Sequence, residues 1–211
     1  MSFQVEGKVA VVTGGSSGIG LAAVEILVAE GAKVAWCGRD EQRLVESKLY
    51  ILEKYPHAHV FTQVCNVLDK EDVKNFAQTV KQHLGNVDML INNAGQGRVS
   101  TFENTQDEDW MKEIELKYFS VLHPIRAFLV DLKNSAIGSV TNVNSLLALQ
   151  PEPHMIATSS ARAALLNLTH SLAHEFIQYN VRVNSILLGM VESAQWKRRY
   201  ETRSDPNQSW Q

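Results

Sequence analysis

The stretch Thr13-Gly14-Gly15-Ser16-Ser17-Gly18-Ile19-Gly20 has the composition of a phosphate cradle. Gly14 admits a tight turn that a Cβ would obstruct. Gly18 lets the backbone approach a bound phosphate, and Gly20 lets the next helix pack on the preceding strand. Free N–H groups at the helix start, aided by the helix dipole, favour an anion. Ser16 and Ser17 add hydroxyl donors. A glycine-rich turn that binds nothing has the same composition, so context decides. Val9 to Val12 is a short apolar run. Ile19 to Ala29 is amphipathic, with Val24, Leu27 and Val28 at helical spacing.

Strands and helices alternate along the rest of the chain. Lys33 to Cys37 reads as a second strand and Gln42 to Tyr55 as a helix stopped by Pro56. His59 to Val64 is a third strand, leading into Cys65-Asn66-Val67. Asp69 caps a helix to about Leu84. Val87 to Ile91 leads into Asn92-Asn93-Ala94-Gly95. Thr105-Gln106-Asp107-Glu108 has the form of a capping box and opens a long helix to about Val130, with a bend expected at Pro124. Ser139 to Val143 is a fifth strand, Met155 to Gln178 an alanine-rich helix, and Val181 to Leu187 a sixth strand ending at Leu188-Gly189. The expected fold class is α/β: one Rossmann-type, doubly wound parallel sheet between two helical layers, α/β/α, over residues 1–211. The ligand belongs at the carboxyl ends of the strands.

Bulk composition narrows the classes. The chain has 211 residues, 45% of them hydrophobic, enough for one core. A net charge of −3 with scattered Lys and Arg gives no basic field for nucleic acid. No apolar run approaches a membrane span, and the first residues lack the form of a secretion signal. Cys37 and Cys65, both placed in strands, read as buried, reduced thiols of a cytoplasmic protein. No His/Cys cluster has metal spacing.

With these elements in place the sequence resembles the short-chain dehydrogenase/reductase family along nearly its whole length. The resemblance rests on Thr13 to Gly20, on Asn92 to Gly95, on Ser145 after the fifth strand and on Arg182-Val183-Asn184-Ser185-Ile186. It implies a nicotinamide dinucleotide and hydride transfer to or from a carbonyl carbon. Gly14, Ser17, Gly18, Ile19 and Gly20, with Ser16, match the pyrophosphate loop. Asn93, Ala94 and Gly95 match the segment along the adenosine side. Asn66 and Val67 stand where the family has Asp and an apolar residue. Gly189, Val191 and Ser193 match positions near the carboxamide and phosphates. At the end of the second strand Gly38 replaces the carboxylate that would repel a 2′-phosphate, and Arg39 follows with a fork suited to phosphate. NADP(H) is therefore preferred. Arg39 could also be a solvated cation or a partner of Asp40, and Asp40 keeps NAD(H) open.

The family's working residues are Ser, Tyr and Lys, with an Asn on the preceding helix. Ser145 matches the Ser. The Tyr position falls on Thr158, the Lys position on Arg162 and the Asn position on Lys117; no Tyr-x-x-x-Lys occurs on the helix after the fifth strand. Threonine is a far weaker acid than tyrosine, and arginine stabilises an anion without relaying protons. The resemblance then implies Ser145 on the substrate oxygen and Arg162 on the nicotinamide ribose. Lys117, His154 or water would supply the proton; Tyr118 is read as packing.

Two function classes follow: an NAD(P)(H)-dependent oxidoreductase of a small carbonyl or alcohol, or a catalytically silent dinucleotide-binding sensor or assembly protein. Both are expected to form a homodimer or homotetramer through the two long helices, with Ala157, Ala161 and Ala164 permitting close approach. Relatives usually continue into a further helix and a seventh strand, so a missing C-terminal strand is also expected.

Overall fold

The computed structural model describes residues 4–191. Six parallel strands form one sheet: β1 (Val9–Thr13), β2 (Lys33–Gly38), β3 (Val60–Val64), β4 (Met89–Asn92), β5 (Ser139–Ser145) and β6 (Arg182–Leu188). Their spatial order is β3-β2-β1-β4-β5-β6. The chain winds outward from β1 to β3, crosses to β4 beside β1, and winds outward again to β6. The reversal lies between β1 and β4, where open α/β sheets leave a crevice at the carboxyl ends of the strands. Thr13 stands opposite both Cys37 and Asn92, and Ser145 opposite Leu188. The ends that carry the motifs therefore share one rim.

Five helices cover the sheet: α1 (Gly18–Ala29), α2 (Glu41–Lys54), α3 (Lys70–Leu84), α4 (Asp107–Asn134) and α5 (Ile156–Phe176). Val24, Val28, Leu44 and Ile51 of α1 and α2 pack with Val12, Val34 and Trp36 on one face. Val73, Phe76 and Val80 of α3, Val121, Ile125 and Phe128 of α4, and Leu165, Leu172 and Phe176 of α5 pack with Val11, Leu90 and Val140 on the other. Strands with both faces covered read as apolar runs, as Val9 to Val12 does.

Local physics sets the helix ends. Asp69 accepts from the amides of Glu71 and Asp72 at 2.9 and 3.2 Å, as expected of an N-cap. The capping box at Thr105 does not form. The Thr105 hydroxyl donates back to the Thr101 carbonyl at 2.5 Å, and Gln106 becomes the N-cap without a side-chain bond. α4 runs through Pro124 to Asn134, four residues beyond the expected end. α5 stops at Phe176 and tightens into a 3₁₀ turn, Ile177–Tyr179. Cys37 lies in β2, and Cys65 lies just past β3 rather than within it. Both are free and buried. The Cys65 thiol beside it, and then burial, push the Cys37 thiol well above the usual range.

Candidate active site

The glycine turn is built by the backbone of three strands. Gly14 and Gly15 donate to the Cys37 carbonyl at 2.9 and 3.3 Å. Thr13 Oγ1 accepts from the amides of Asn93 and Ala94 at 3.0 and 3.1 Å. Asn93 Nδ2 donates to the carbonyls of Thr13 and Gly14 at 3.2 and 3.0 Å, so this side chain ties β4 to the turn. Gly14 has φ +66° and Gly18 φ +54°, conformations that favour glycine. No protein atom lies within 4 Å of the place a Gly18 Cβ would take, which leaves the approach to the helix start open. A Gly20 Cβ would run into the Gly14 carbonyl and Asn93 Nδ2. Gly15 is just as constrained, by Trp36. Its role was missed because Trp36 reaches it only through the packing of β2 on β1. Ser17 is the N-cap of α1 and makes no capping bond with its side chain, so the first-turn amides are left for an anion.

At the ends of β2 and β3 the candidate residues divide. A Gly38 Cβ would stand 3.2 Å from Ser16 Oγ, so the missing side chain lets Ser16 lie over this strand end. Arg39 is exposed and has no ion pair among the described residues. Asp40 caps α2, accepting from the Arg43 amide at 3.1 Å and pairing with Arg43 Nε at 3.2 Å. Asn66 is exposed, with Oδ1 folded back to the Leu68 amide at 3.2 Å, and Val67 is buried. Gly95, Gly189 and Val191 are exposed at the same rim.

Ser145 closes β5. Its Oγ accepts from the Leu147 amide at 3.3 Å, which leaves its proton free to donate. Arg162, on α5, is largely buried. Its Nη1 donates to the Val143 carbonyl at 3.0 Å, and its Nε is buried without an acceptor. Thr158 and Lys117 are more enclosed, 1% and 2% exposed. Both reach one oxygen of a residue that the sequence reading passed over, Glu113. Thr158 Oγ1 donates to Glu113 Oε2 at 2.7 Å, and Lys117 Nζ donates to the same oxygen at 3.0 Å. Lys117 also donates to the Gln96 carbonyl at 2.6 Å, and Thr158 Oγ1 accepts from the Arg98 amide at 2.9 Å. The Arg98 guanidinium pairs with Asp109 at 2.6 Å. Segment 96–98 is thereby pinned across α4 and α5. Glu113 had a legible signal, since an acid four residues before a lysine on a helix faces it. Nothing in the spacing showed that Thr158 would share the same oxygen.

The charges do not balance inside this cluster: one carboxylate faces two cations. Burial, and next the charge of Arg162, lower the Lys117 ammonium to about 8, against the opposing pull of Glu113. Burial lowers Arg162 to about 10, and Glu113 opposes that shift. The Thr158 hydroxyl is spent on Glu113 and the Arg98 backbone. His154 sits on the turn before α5, with Nε2 3.3 Å from Glu152 and its side chain 43% exposed. Tyr118, read as packing, donates to the Ala164 carbonyl at 3.2 Å. Ala157 and Ala161 are buried within their own chain, and Ala164 is half-buried. Ser193 lies outside the described residues. No group of three or more His, Cys, Asp or Glu suited to a metal occurs among the described residues, and no described helix is long and apolar enough to cross a membrane.

The rim can therefore hold an extended anion on the glycine turn, with a hydroxyl donor and an unmatched guanidinium farther along. The family model for the short chain dehydrogenases matches residues 8–204. The chain is similar to an NADPH-bound short-chain oxidoreductase from Pseudomonas aeruginosa PAO1 described as containing an atypical catalytic center. The two are 56% identical, with a TM-score of 0.91, over 92% of this chain and 76% of that one. It is also similar to L-sorbose reductase of Gluconobacter frateurii, seen with NADPH and L-sorbose, at 32% identity and TM-score 0.91, over 98% and 79% of the two chains. A 3α-hydroxysteroid dehydrogenase of Mediterraneibacter gnavus is 30% identical over 92% of this chain and 77% of its own.

Proposed function

Since the chain belongs to the short-chain dehydrogenase family and is a nicotinamide-dinucleotide oxidoreductase, we propose that it interconverts a small carbonyl compound and its alcohol with NADP(H) in preference to NAD(H). The observation that carries the cofactor preference is the contrast at the end of β2. Arg39 is exposed, follows the Gly38 that Ser16 approaches, and has no ion pair among the described residues, while the Asp40 carboxylate is committed to Arg43. A 2′-phosphate would find a fork and a hydroxyl there, and no free carboxylate to oppose it. The pyrophosphate would lie on the amides of Ser17, Gly18, Ile19 and Gly20. Asn66 and Val67 would border the adenine, Asn93 to Gly95 the adenosine side, and Gly189 and Val191 the carboxamide. Arg162 Nε, a buried donor lacking an acceptor, suits a ribose oxygen.

The bound nicotinamide supplies or accepts the hydride. Ser145 donates a hydrogen bond to the substrate oxygen, and water supplies the proton. Arg162 holds the nicotinamide ribose and moves no proton. Thr158 and Lys117 act from inside, by fixing Glu113 and segment 96–98. The exposed rim of α4 supports a second copy as partner, and the free thiols support a cytoplasmic setting.

The test is Ser145→Ala. NADPH oxidation in the presence of a carbonyl substrate is expected to fall about 100-fold, with NADPH affinity unchanged in a binding titration. Unchanged turnover removes Ser145 from the reaction. A second reading rests on the enclosure of Thr158: a wild-type chain that binds NADPH but oxidises none across a broad carbonyl panel is a binding protein.

A further inference from the structure

Arg162 raises a question of charge. Glu113 is the carboxylate whose field acts on it. An arginine and a carboxylate in a dry interior form strong, often bidentate hydrogen bonds. Here they form none. Arg162 Nη1 goes to the Val143 carbonyl and Nε has no acceptor, although it is buried. Glu113 instead takes two donors on Oε2: Lys117 Nζ at 3.0 Å and Thr158 Oγ1 at 2.7 Å. The other charged groups nearby, Arg98 and Asp109, satisfy each other at 2.6 Å.

We infer that Lys117 is a positioning residue that acts through Glu113: by occupying and neutralising that carboxylate with the help of Thr158, it keeps Arg162 unquenched and free to hold an oxygen of the bound dinucleotide. The cost is two cations enclosed together, and it is visible in the lowering of the Lys117 ammonium to about 8. The residues at the family's Tyr and Asn positions then form one device with Glu113. Without Lys117, the freed carboxylate would pair with the guanidinium and take the donor the cofactor needs. This inference rests on the reading that Arg162 faces the nicotinamide ribose.

The experiment measures NADPH affinity by calorimetry on the full chain, without turnover. In Lys117→Met, affinity at pH 7 is expected to fall about 30-fold, the lower end of the range in which breaking one partner of a buried charge pair is felt. In Lys117→Met with Glu113→Gln, the competing charge is gone, and affinity is expected to return to within about threefold of wild type. A lysine with a merely structural role would leave the double variant as weak as the single one, and that result overturns the inference. So does a Lys117→Met protein that binds like wild type. A pH series keeps the test independent of whether the single variant folds. Wild-type affinity is expected to drop as pH rises through about 8 and Lys117 loses its proton, and Glu113→Gln to stay flat over the same range. A flat wild-type series from pH 7 to about 9 overturns the inference. Arg162→Ala that binds like wild type also overturns it while leaving the cofactor reading standing. No NADPH binding by the wild type, seen in the first titration, overturns both.

Discussion

Arg39 and Asp40 are adjacent and charged, yet only one is free to meet a ligand. Asp40 spends its carboxylate on the amide and guanidinium of Arg43, which serves the start of α2. Arg39→Ala is therefore expected to weaken NADPH about tenfold and leave NADH nearly unchanged, since one charge-assisted phosphate contact is lost. Competition titration with the two cofactors reads this directly. Lys117 gives a second prediction, on stability. Its folded value of about 8 lies below the usual lysine range. Between about 8 and 10.5 the unfolded chain then holds more protons than the folded one, so stability from this group rises with pH across that window. Below it, the enclosed charge costs roughly 3 kcal/mol relative to the neutral amine. Urea midpoints at pH 7.5 and about 10 should move in favour of wild type over Lys117→Met with Glu113→Gln. No relative movement would mean that Lys117 titrates normally.

The glycine turn belongs to the scale of elements, because three strands and a helix meet on it. Gly20→Ala places a methyl group against the Gly14 carbonyl and Asn93 Nδ2, which are hydrogen-bonded to each other. Neither can retreat without breaking the tie between β1 and β4. The expected loss is about 2 kcal/mol, read as a lower melting temperature, with cofactor affinity reduced beside it. Gly18→Ala should keep the fold better, since no atom crowds that site; the strain there is that of a positive φ alone. Much at this scale was legible. Apolar runs gave the strands, and Asp69 gave a helix start, because both depend on neighbours in sequence. Thr105 shows the limit. Its hydroxyl had a choice between the helix amides ahead and the Thr101 carbonyl behind, and loop geometry made that choice. Ala157 and Ala161 show another. Helical spacing put them on one face, and packing against the chain's own interior decided that this face is covered.

For the whole molecule, the long helices also present exposed apolar side chains. Met111, Ile114 and Phe119 of α4 are exposed, at 64%, 41% and 39%. Helical spacing brings Met111 and Ile114 together, with Tyr118 one turn on; Phe119 points about 100° away from Tyr118. An apolar rim of this kind on a long helix suits a twofold contact with a second copy. Light scattering is expected to give a dimer or a higher even-numbered oligomer for wild type, and a shift toward monomer for Ile114→Asp. A wild-type monomer across the concentration range would remove the contact.

Read alone, the sequence determined the alternation of strands and helices, the parallel sheet, the glycine-rich turn and the family. Those are local matters: periodicity, glycine conformations, and motifs whose residues lie within a few positions of one another. Only the tertiary structure decided which residues are free to act. It enclosed Thr158 and Lys117, joined them to Glu113 across two helices, and left Ser145 and Arg162 with donors to spare. Such assignments depend on burial and on partners remote in sequence. A donor's proton given to one acceptor is withheld from every other.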